Sequence, residues 1–370
     1  MHRTPPFLLV CALIPALALG WAGCLPGSEQ KTARDLFPSD SLSRRIAAGV
    51  PVDTLQRVRT ITAPPEAGLE YPTGIALLPG DRIAVVDARR GALHRFSTAG
   101  DYLGGVAGAG FAYPFLAGAR GDTVAVLSRG ANRVDLVVGD RVVRRIEGPS
   151  GRNAAALLTD RGLYFKTSSE DDGAVLRRLD PQGEEAARYR LSGPWWRHLG
   201  FLRAWGDTLV SLSGYRPVVD VLPLAAPAGA ALDTLALAGF DSPQLARSRL
   251  FATGEVDEPP LLSPAAAALG DRLFVLNARP GWTRIDVFRR DPSGGGRLLL
   301  ERGLVAPAPA FRDDFFAADL AVREAPGGIE FAVLEAETVP AVALYRWAPS
   351  GTATDSTSGT GTGWPSPAAR

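Results

Sequence analysis

The chain has 370 residues, of which 46% are hydrophobic and 21% are charged, and its formal net charge at pH 7 is +1. This near balance excludes both the basic excess that points to a nucleic-acid partner and the acidic excess of a solvating tail. The length leaves room for about two average domains, although one large all-β ring fits equally well.

The first segment of the chain, residues 1–23, has the features of a secretory signal peptide. A short polar start is followed by an apolar run from Pro6 to Gly20 that is too short to span a bilayer comfortably. The next residues, Trp21-Ala22-Gly23-Cys24, resemble a bacterial lipobox, in which cleavage before the cysteine leaves it to carry the lipid. The resemblance implies a lipoprotein anchored at Cys24. The alternative is an ordinary signal peptide, or an uncleaved anchor, with an incidental cysteine.

The cysteine content agrees with a lipid anchor. The chain has two cysteines, and Cys11 lies in the segment that would be removed, so the exported protein would have no internal disulfide. Stable anchoring needs more than one acyl chain. Leu25 follows Cys24 where the lipoprotein pattern uses Asp for retention in the inner membrane. We therefore expect a cell-envelope protein in the outer membrane, facing the periplasm or the exterior, with its lipid as the sole membrane contact.

Two segments flank the folded region. Residues 24–53 contain Pro, Gly and many Ser and are predicted to form a tether, with one helical turn near Ser41–Ala48. Residues 348–370 are rich in Gly, Ser, Thr and Pro and are predicted to be disordered. The region between them, residues 54–347, is predicted to fold as one domain.

A short sequence pattern recurs along this region: a Gly/Asp turn is followed at once by an apolar strand. Each turn supplies the positive φ that a tight hairpin needs, and each strand lies between a small-residue strand before it and two further strands after it. Four antiparallel strands of this kind make one propeller blade. Two units carry insertions, the larger at about Phe240–Ser263. The copies begin at Gly80, Gly121, Asp160, Gly206, Gly270 and Gly327.

The ends of the domain complement each other. The sixth unit lacks a fourth strand, whereas Thr54–Ile61 is an alternating strand without a unit of its own. Pairing the two would close the ring without a free strand edge. The predicted fold is therefore all-β, a six-bladed β-propeller whose N-terminal strand closes the last blade.

The first unit resembles an NHL-type repeat. The resemblance rests on Tyr71-Pro72-Thr73-Gly74-Ile75-Ala76, on Gly80-Asp81-Arg82-Ile83-Ala84-Val85-Val86-Asp87 and on Gly91-Ala92-Leu93-His94-Arg95-Phe96. Later units keep the turn and strand pattern but lose the Pro-x-Gly. The resemblance implies a six-bladed propeller and no particular activity, because this fold carries binders, lyases, lactonases and scaffolds alike.

Catalytic signatures are scarce. The three histidines have no metal-ligand spacing, and no Gly-x-Ser-x-Gly motif occurs. A lactonase- or lyase-like enzyme would need Ca²⁺ or another divalent ion held by the residues that end the second strands, Asp87, Asn277 and Glu335. The competing interpretation is that these side chains cap strand ends in solvent. We expect no enzyme activity and no cofactor, and keep the metal-dependent enzyme as the alternative.

Binding is better supported by the sequence. In a propeller the loops after second strands and the connections between blades share one face, and here both sets are rich in Arg and aromatic residues. We expect this rim to bind an anionic or stacking ligand, which could be a protein, a peptide or a carbohydrate, so that the protein acts as an interaction module in the envelope. The alternative is that the aromatics pack beneath the blade junctions. The predicted ligand-binding residues are Arg89, Arg129, Arg279, Tyr113, Trp195, Trp196, Tyr215 and Trp282.

Overall fold

A computed structural model describes residues 40–151, 153–169, 173–279, 281–307, 317–336 and 339–349. The predicted signal peptide, the lipidation site at Cys24, most of the tether and nearly all of the predicted tail lie outside these residues. Within them, no helix is long and apolar enough to cross a membrane.

The regular structure of the described chain is mainly β-strand, with helix α1 at Asp40–Gly49 and helix α2 at Leu245–Thr253. Short strand β1 covers Val52–Thr54, and the remaining strands form four-stranded antiparallel groups that we number in chain order. Group 1 contains β3 Pro72–Leu78, β4 Arg82–Asp87, β5 Ala92–Ser97 and β6 Tyr102–Ala107, and group 2 contains β7 Pro114–Arg120, β8 Thr123–Ser128, β9 Arg133–Val138 and β10 Arg141–Glu147. Group 3 contains β11 Asn153–Thr159, β12 Gly162–Ser169, β13 Gly173–Leu179 and β14 Glu185–Leu191, and group 4 contains β15 Leu202–Trp205, β16 Thr208–Leu212, β17 Val218–Pro223 and β18 Asp233–Ala238. Group 5 contains β19 Ala265–Leu269, β20 Arg272–Asn277, β21 Trp282–Arg290 and β22 Arg297–Pro307, and group 6 contains β23 Ala317–Ala325, β24 Gly328–Glu335, β25 Ala341–Trp347 and β2 Gln56–Ile61.

The first strands of the groups surround a common centre. Each of β3, β7, β11, β15 and β19 contacts the first strand of the next group, and β23 contacts β3, so the contacts form a closed cycle. Small residues make this possible: a Cβ atom on Gly74 would lie 2.5 Å from the Cβ of Leu116 in the neighbouring strand. The large apolar side chains pack between the groups instead, as Tyr164 and Tyr189 do between groups 3 and 4.

The N-terminal strand closes group 6, as the sequence predicts. Strand β2 pairs antiparallel with β25, from Gln56 opposite Arg346 to Ile61 opposite Val342, and so becomes the outermost strand of that group. The predicted boundary at Thr54 differs from the structure. Thr54 belongs to β1, which pairs parallel with β22 of group 5, opposite Val305.

Groups 4 and 5 are not separate sheets, as independent repeat units would be. Their outer strands β18 and β22 pair in parallel, with Ala236 opposite Arg297 and Ala238 opposite Leu299, which makes one nine-stranded sheet with β1. The pairing covers strand edges that would otherwise be open.

Helix α1 packs beside this junction. The Ser43 hydroxyl accepts a 3.2 Å hydrogen bond from the Gly239 amide, and a Cβ atom on Gly239 would lie 2.6 Å from Ile46 Cγ2. The end of the predicted tether is therefore a docked helix of 10 residues and not a single turn. The larger predicted insertion, Phe240–Ser263, contains α2.

The closing strand should contribute strongly to stability. Ile61 is 2% exposed and packs with Val342 and Leu344, whereas Val58 on the same strand is 46% exposed. We expect Ile61→Ala to lower the free energy of unfolding by about 2–5 kcal/mol, because it leaves a cavity in the core. Val58→Ala should change it by less than about 0.5 kcal/mol. Equal denaturant midpoints for the two variants would show that β2 does not hold the ring.

Candidate functional site

The hairpin topology places two kinds of segment on the same face of the molecule. Second strands end on the face where first strands begin, because neighbouring strands in each group run antiparallel. We call this side the loop face. The predicted ligand-binding residues all belong to segments on it.

Aromatic and arginine side chains meet where the first strands of groups 2 and 4 begin. The rings of Phe115 and Phe201 have centroids 6.4 Å apart, and Tyr113 meets Phe115 edge-on at 5.4 Å. The Arg129 guanidinium lies 3.5 Å from the Phe115 centroid, and that of Arg203 lies 5.1 Å from the Phe201 centroid. Both geometries favour cation–π attraction. We call these five residues the mouth cluster.

Tyr113 has an unusual backbone for a bulky residue. Its φ is 51°, in the left-handed region that large side chains rarely adopt, and its side chain is nevertheless 53% exposed. Its carbonyl accepts the amide of Arg129 at 3.3 Å, which ties the two loops of group 2 together. A strained, exposed aromatic residue at the centre of a ring is typical of a site that is kept for function.

The centre of the ring is closed beneath the mouth cluster. Arg203 Nη2 donates to Asp319 Oδ1 at 2.7 Å, and its Nε donates to the Ala266 carbonyl at 2.8 Å. The other oxygen of Asp319 accepts the Ile75 amide at 3.0 Å. Burial raises the pKa of Asp319, and the charge of Arg203 opposes that shift. This bridge joins the first strands of groups 4, 5, 6 and 1 and so closes the centre of the ring beneath the mouth cluster.

The predicted rim residues fall into separate places. Tyr113 and Arg129 join the mouth cluster. Arg279 lies 5.4 Å from the ring of Trp282 and donates to the Asp241 carboxylate at 2.9 Å, in the connection between groups 4 and 5. Arg89 is 3.9 Å from the Glu70 carboxylate with its side chain 75% exposed, and no predicted aromatic residue contacts it among the described residues.

The remaining predicted aromatics lie over group 4. Trp195 and Trp196 are half-buried in a short 3-10 turn. The ring of Trp196 contacts Phe251 at 4.6 Å and the Arg216 guanidinium at 4.4 Å. Burial raises the pKa of the half-buried Tyr215. The eight predicted residues thus form several patches and not one continuous platform.

Asp87, one of the proposed metal ligands, is completely buried. Its two oxygens accept backbone amides from the segment before β3 and from the segment after β4, including Glu70 at 2.6 Å and Arg90 at 2.9 Å. Four such bonds in all cap the end of its strand, which is a structural use of the carboxylate.

Asn277 and Glu335 are likewise engaged within their own groups. Asn277 donates to Asp286 at 3.0 Å, and Glu335 accepts from Arg57 at 2.7 Å. Across the part of the chain that the structure describes, no three His, Cys, Asp or Glu side chains are placed to share a metal ion.

Four residues of the site escaped the sequence interpretation: Phe115, Phe201, Arg203 and Asp319. All lie in or beside first strands, where the pattern of small residues had drawn attention to the fold and not to chemistry. The sequence did contain a signal for these residues, because they depart from the small-residue pattern of the first strands. A large aromatic residue or a charge at the start of a strand otherwise made of small and apolar residues needs a partner across the ring.

Comparison with known structures identifies the fold as a β-propeller. The WD40 repeats of RRP9 are 12% identical to this chain with a TM-score of 0.51, covering 79% of this chain and 99% of theirs. The β-propeller domain of Cps50 (Swd1) from Myceliophteria thermophila is 12% identical with a TM-score of 0.50, covering 80% of this chain and 100% of that domain. A streptogramin B lyase is 11% identical with a TM-score of 0.49, covering 77% and 96%.

Identities this low establish the fold and nothing about activity. No protein-family model matches the chain, and no curated protein matches it in sequence.

Proposed function

We propose that this protein is a six-bladed, NHL-type propeller that binds a peptide or protein segment at the mouth cluster, without catalysing a reaction. The observation that carries the proposal is the exposed Tyr113, held at a positive φ beside Phe115 and Arg129 over a closed floor. The backbone of Tyr113 ties two loops together, but its strained φ and half-exposed ring are not needed for that bond, and the ring offers a ligand a rigid contact.

The chemistry of the cluster suggests the class of ligand. Arg129 donates to the Ala154 carbonyl and Arg203 to Asp319, so the cluster attracts a carboxylate mainly through the positive charge of Arg129. Arginine suits both carboxylates and aromatic rings. Phe201 and Phe115 are half-buried, so they offer apolar faces without filling a deep cavity. With a net charge of +1 the protein has little long-range field, so affinity must come from local contacts. A peptide bearing an aromatic residue and a carboxylate meets these requirements; an acidic carbohydrate is the other outcome that the test below distinguishes.

Paired arrays of peptides with free carboxyl termini and of oligosaccharides test this proposal. We expect the wild-type protein to select peptides. Tyr113→Gly should lose binding by at least about tenfold, since it removes a contact at the centre of the site. The same change should leave the melting temperature equal or higher, because glycine adopts the positive φ without strain.

Leu103→Ala is the matched control, since Leu103 is 49% exposed on the outermost strand of group 1, away from the mouth. It should bind as the wild type does. Selection of oligosaccharides alone would change the ligand class, and Tyr113→Gly binding at full strength would refute the site.

We further propose that the propeller is lipid-anchored at Cys24 in the outer membrane. The support is the lipobox-like sequence and the short connection: residues 25–39 span at most about 50 Å when fully extended. Radiolabelled palmitate should be incorporated by the wild type and by Cys11→Ala but not by Cys24→Ala. Label retained in Cys24→Ala, or absent from the wild type, would disprove the anchor.

A further inference from the structure

Among the described residues, buried basic side chains outnumber buried carboxylates at the loop-face end of the junction between groups 3 and 4. Lys166, Arg197 and Arg216 are 0%, 6% and 2% exposed, and the buried carboxylate among them is Asp220, at 3%. Among the described residues, neither Lys166 nor Arg216 has a carboxylate within ion-pair distance. Burying an ion without a counter-ion is costly, so the surplus needs an explanation.

Asp220 does not pair with Lys166 or Arg216, because its two oxygens already contact other side chains. Its Oδ1 accepts hydrogen bonds from Arg197 and, at 2.6 Å, from the Thr234 hydroxyl. Its Oδ2 lies 3.4 Å from His198 Nδ1. Burial lowers the pKa of His198, although Asp220 opposes that shift. The carboxylate of Asp220 is thus occupied by Arg197, Thr234 and His198.

Arg216 is the buried arginine of this junction that has no carboxylate partner among the described residues. Its guanidinium lies 4.4 Å from the centroid of Trp196, and its Nε and Nη1 are buried without a hydrogen-bond acceptor in the described part of the chain. Burial lowers the pKa of Arg216 to about 10, and the charge of Arg197 adds to that effect while Asp220 opposes it. An arginine is seldom buried with its donors unused.

Unused hydroxyl groups converge on the same place. Lys166 Nζ donates to Ser211 Oγ at 3.1 Å across the junction. Ser168 lies two residues beyond Lys166 in β12, so alternation along the strand gives it the same side as Lys166. Ser213 lies two residues beyond Ser211 and directly follows the end of β16. Both hydroxyls are buried and without a partner among the described residues.

We propose that this junction binds a small oxyanion, a carboxylate or a phosphate, between Arg216 and the hydroxyls of Ser168 and Ser213. Arginine donates two parallel hydrogen bonds to such an anion, and the hydroxyls complete its coordination. The half-buried Trp196 packs against the Arg216 guanidinium and forms one wall of the site. This site is distinct from the mouth cluster and does not depend on it.

Thermal unfolding in a bulky sulfonate buffer, titrated separately with acetate and with phosphate at constant ionic strength, tests the proposal. A ligand that binds only the folded state raises the melting temperature with its concentration. We expect one of the two anions to raise that of the wild type by at least about 2 °C in a saturating manner. The arm that responds identifies the anion.

Arg216→Gln should remove the response while melting no lower than the wild type in the anion-free buffer, because it removes an unpaired buried charge. Ser213→Ala keeps that charge and should weaken the response. Arg290→Gln is the matched control, since Arg290 also lies over a tryptophan, at 5.2 Å from Trp205, but is exposed. It should respond fully, and so should Tyr113→Gly.

The absence of a saturating shift in the wild type would overturn the site. So would an equal shift in Arg216→Gln, because that result indicates general exclusion of the salt from the protein surface. A lower melting temperature of Arg216→Gln in the anion-free buffer would show instead that Arg216 stabilises the fold through Trp196 alone.

Discussion

Asp319→Ala is expected to lower the free energy of unfolding by about 3–5 kcal/mol, the usual cost of breaking a buried ion pair. Asp319 is 1% exposed and accepts hydrogen bonds from Arg203 and from the Ile75 amide, which belong to groups 4 and 1. The variant leaves the Arg203 guanidinium without its buried counter-charge. It also loses the two bonds through which Asp319, in group 6, connects group 4 to group 1. Chemical denaturation measures the change.

A surface pair provides the control for this prediction. Asp160 is 2.8 Å from Arg120, but its side chain is 69% exposed, so Asp160→Ala should cost less than about 1 kcal/mol. The double variant Arg203→Met, Asp319→Leu should recover much of the loss, since apolar side chains replace both charges. If Asp319→Ala and Asp160→Ala have the same effect, the bridge does not hold the centre of the ring.

Lys166→Met is expected to stabilise the protein at neutral pH, by about 1–4 kcal/mol. Lys166 is completely buried, and burial lowers its pKa from 10.5 to about 7, with Asp220 opposing and Arg129 and Arg203 adding to the shift. Methionine has a similar length and no charge to desolvate. The lost hydrogen bond to Ser211 offsets only part of the gain.

The pH dependence gives this prediction its sign. Because the pKa of Lys166 is lower in the folded state, the unfolded chain binds a proton first as the pH falls below 10.5. As the pH is lowered from 10.5 to about 7, the free energy of unfolding of the wild type should therefore decrease. Over the same range the stability advantage of Lys166→Met should grow, and below it the advantage should be constant. The sulfonate buffer avoids a contribution from bound anion. A destabilised variant, or an advantage independent of pH, would show that the ammonium is paired more favourably than the structure indicates.

The fold was largely predictable because its information is local. Each hairpin is specified by a Gly/Asp turn, and each strand by its apolar pattern, so the groups follow from short segments. The pairing of β2 with β25 was predictable because the sixth unit lacks a fourth strand and the N-terminal strand has no unit of its own. The parallel pairing of β18 with β22 did not, since it depends on where two outer edges lie in space and no turn connects them.

The candidate site was predictable only in part, for a related reason. Tyr113 and Arg129 lie in loops, where an exposed aromatic residue or arginine stands out from its neighbours. Phe201 and Asp319 belong to the segments that surround the centre, and their meaning depends on partners far away in sequence. Likewise, Arg89 and Arg279 lie on the expected face, but each lies beside a local carboxylate, Glu70 and Asp241 respectively, and not in the mouth cluster.

The most direct test of ligand binding at the mouth cluster is calorimetric titration of one array-selected peptide into the wild type and into Phe201→Ala. The mouth cluster predicts that the dissociation constant rises by at least about tenfold in Phe201→Ala, while the circular dichroism spectrum keeps its strand character. An unchanged dissociation constant in the folded variant would contradict the account, because the peptide would then bind away from the mouth.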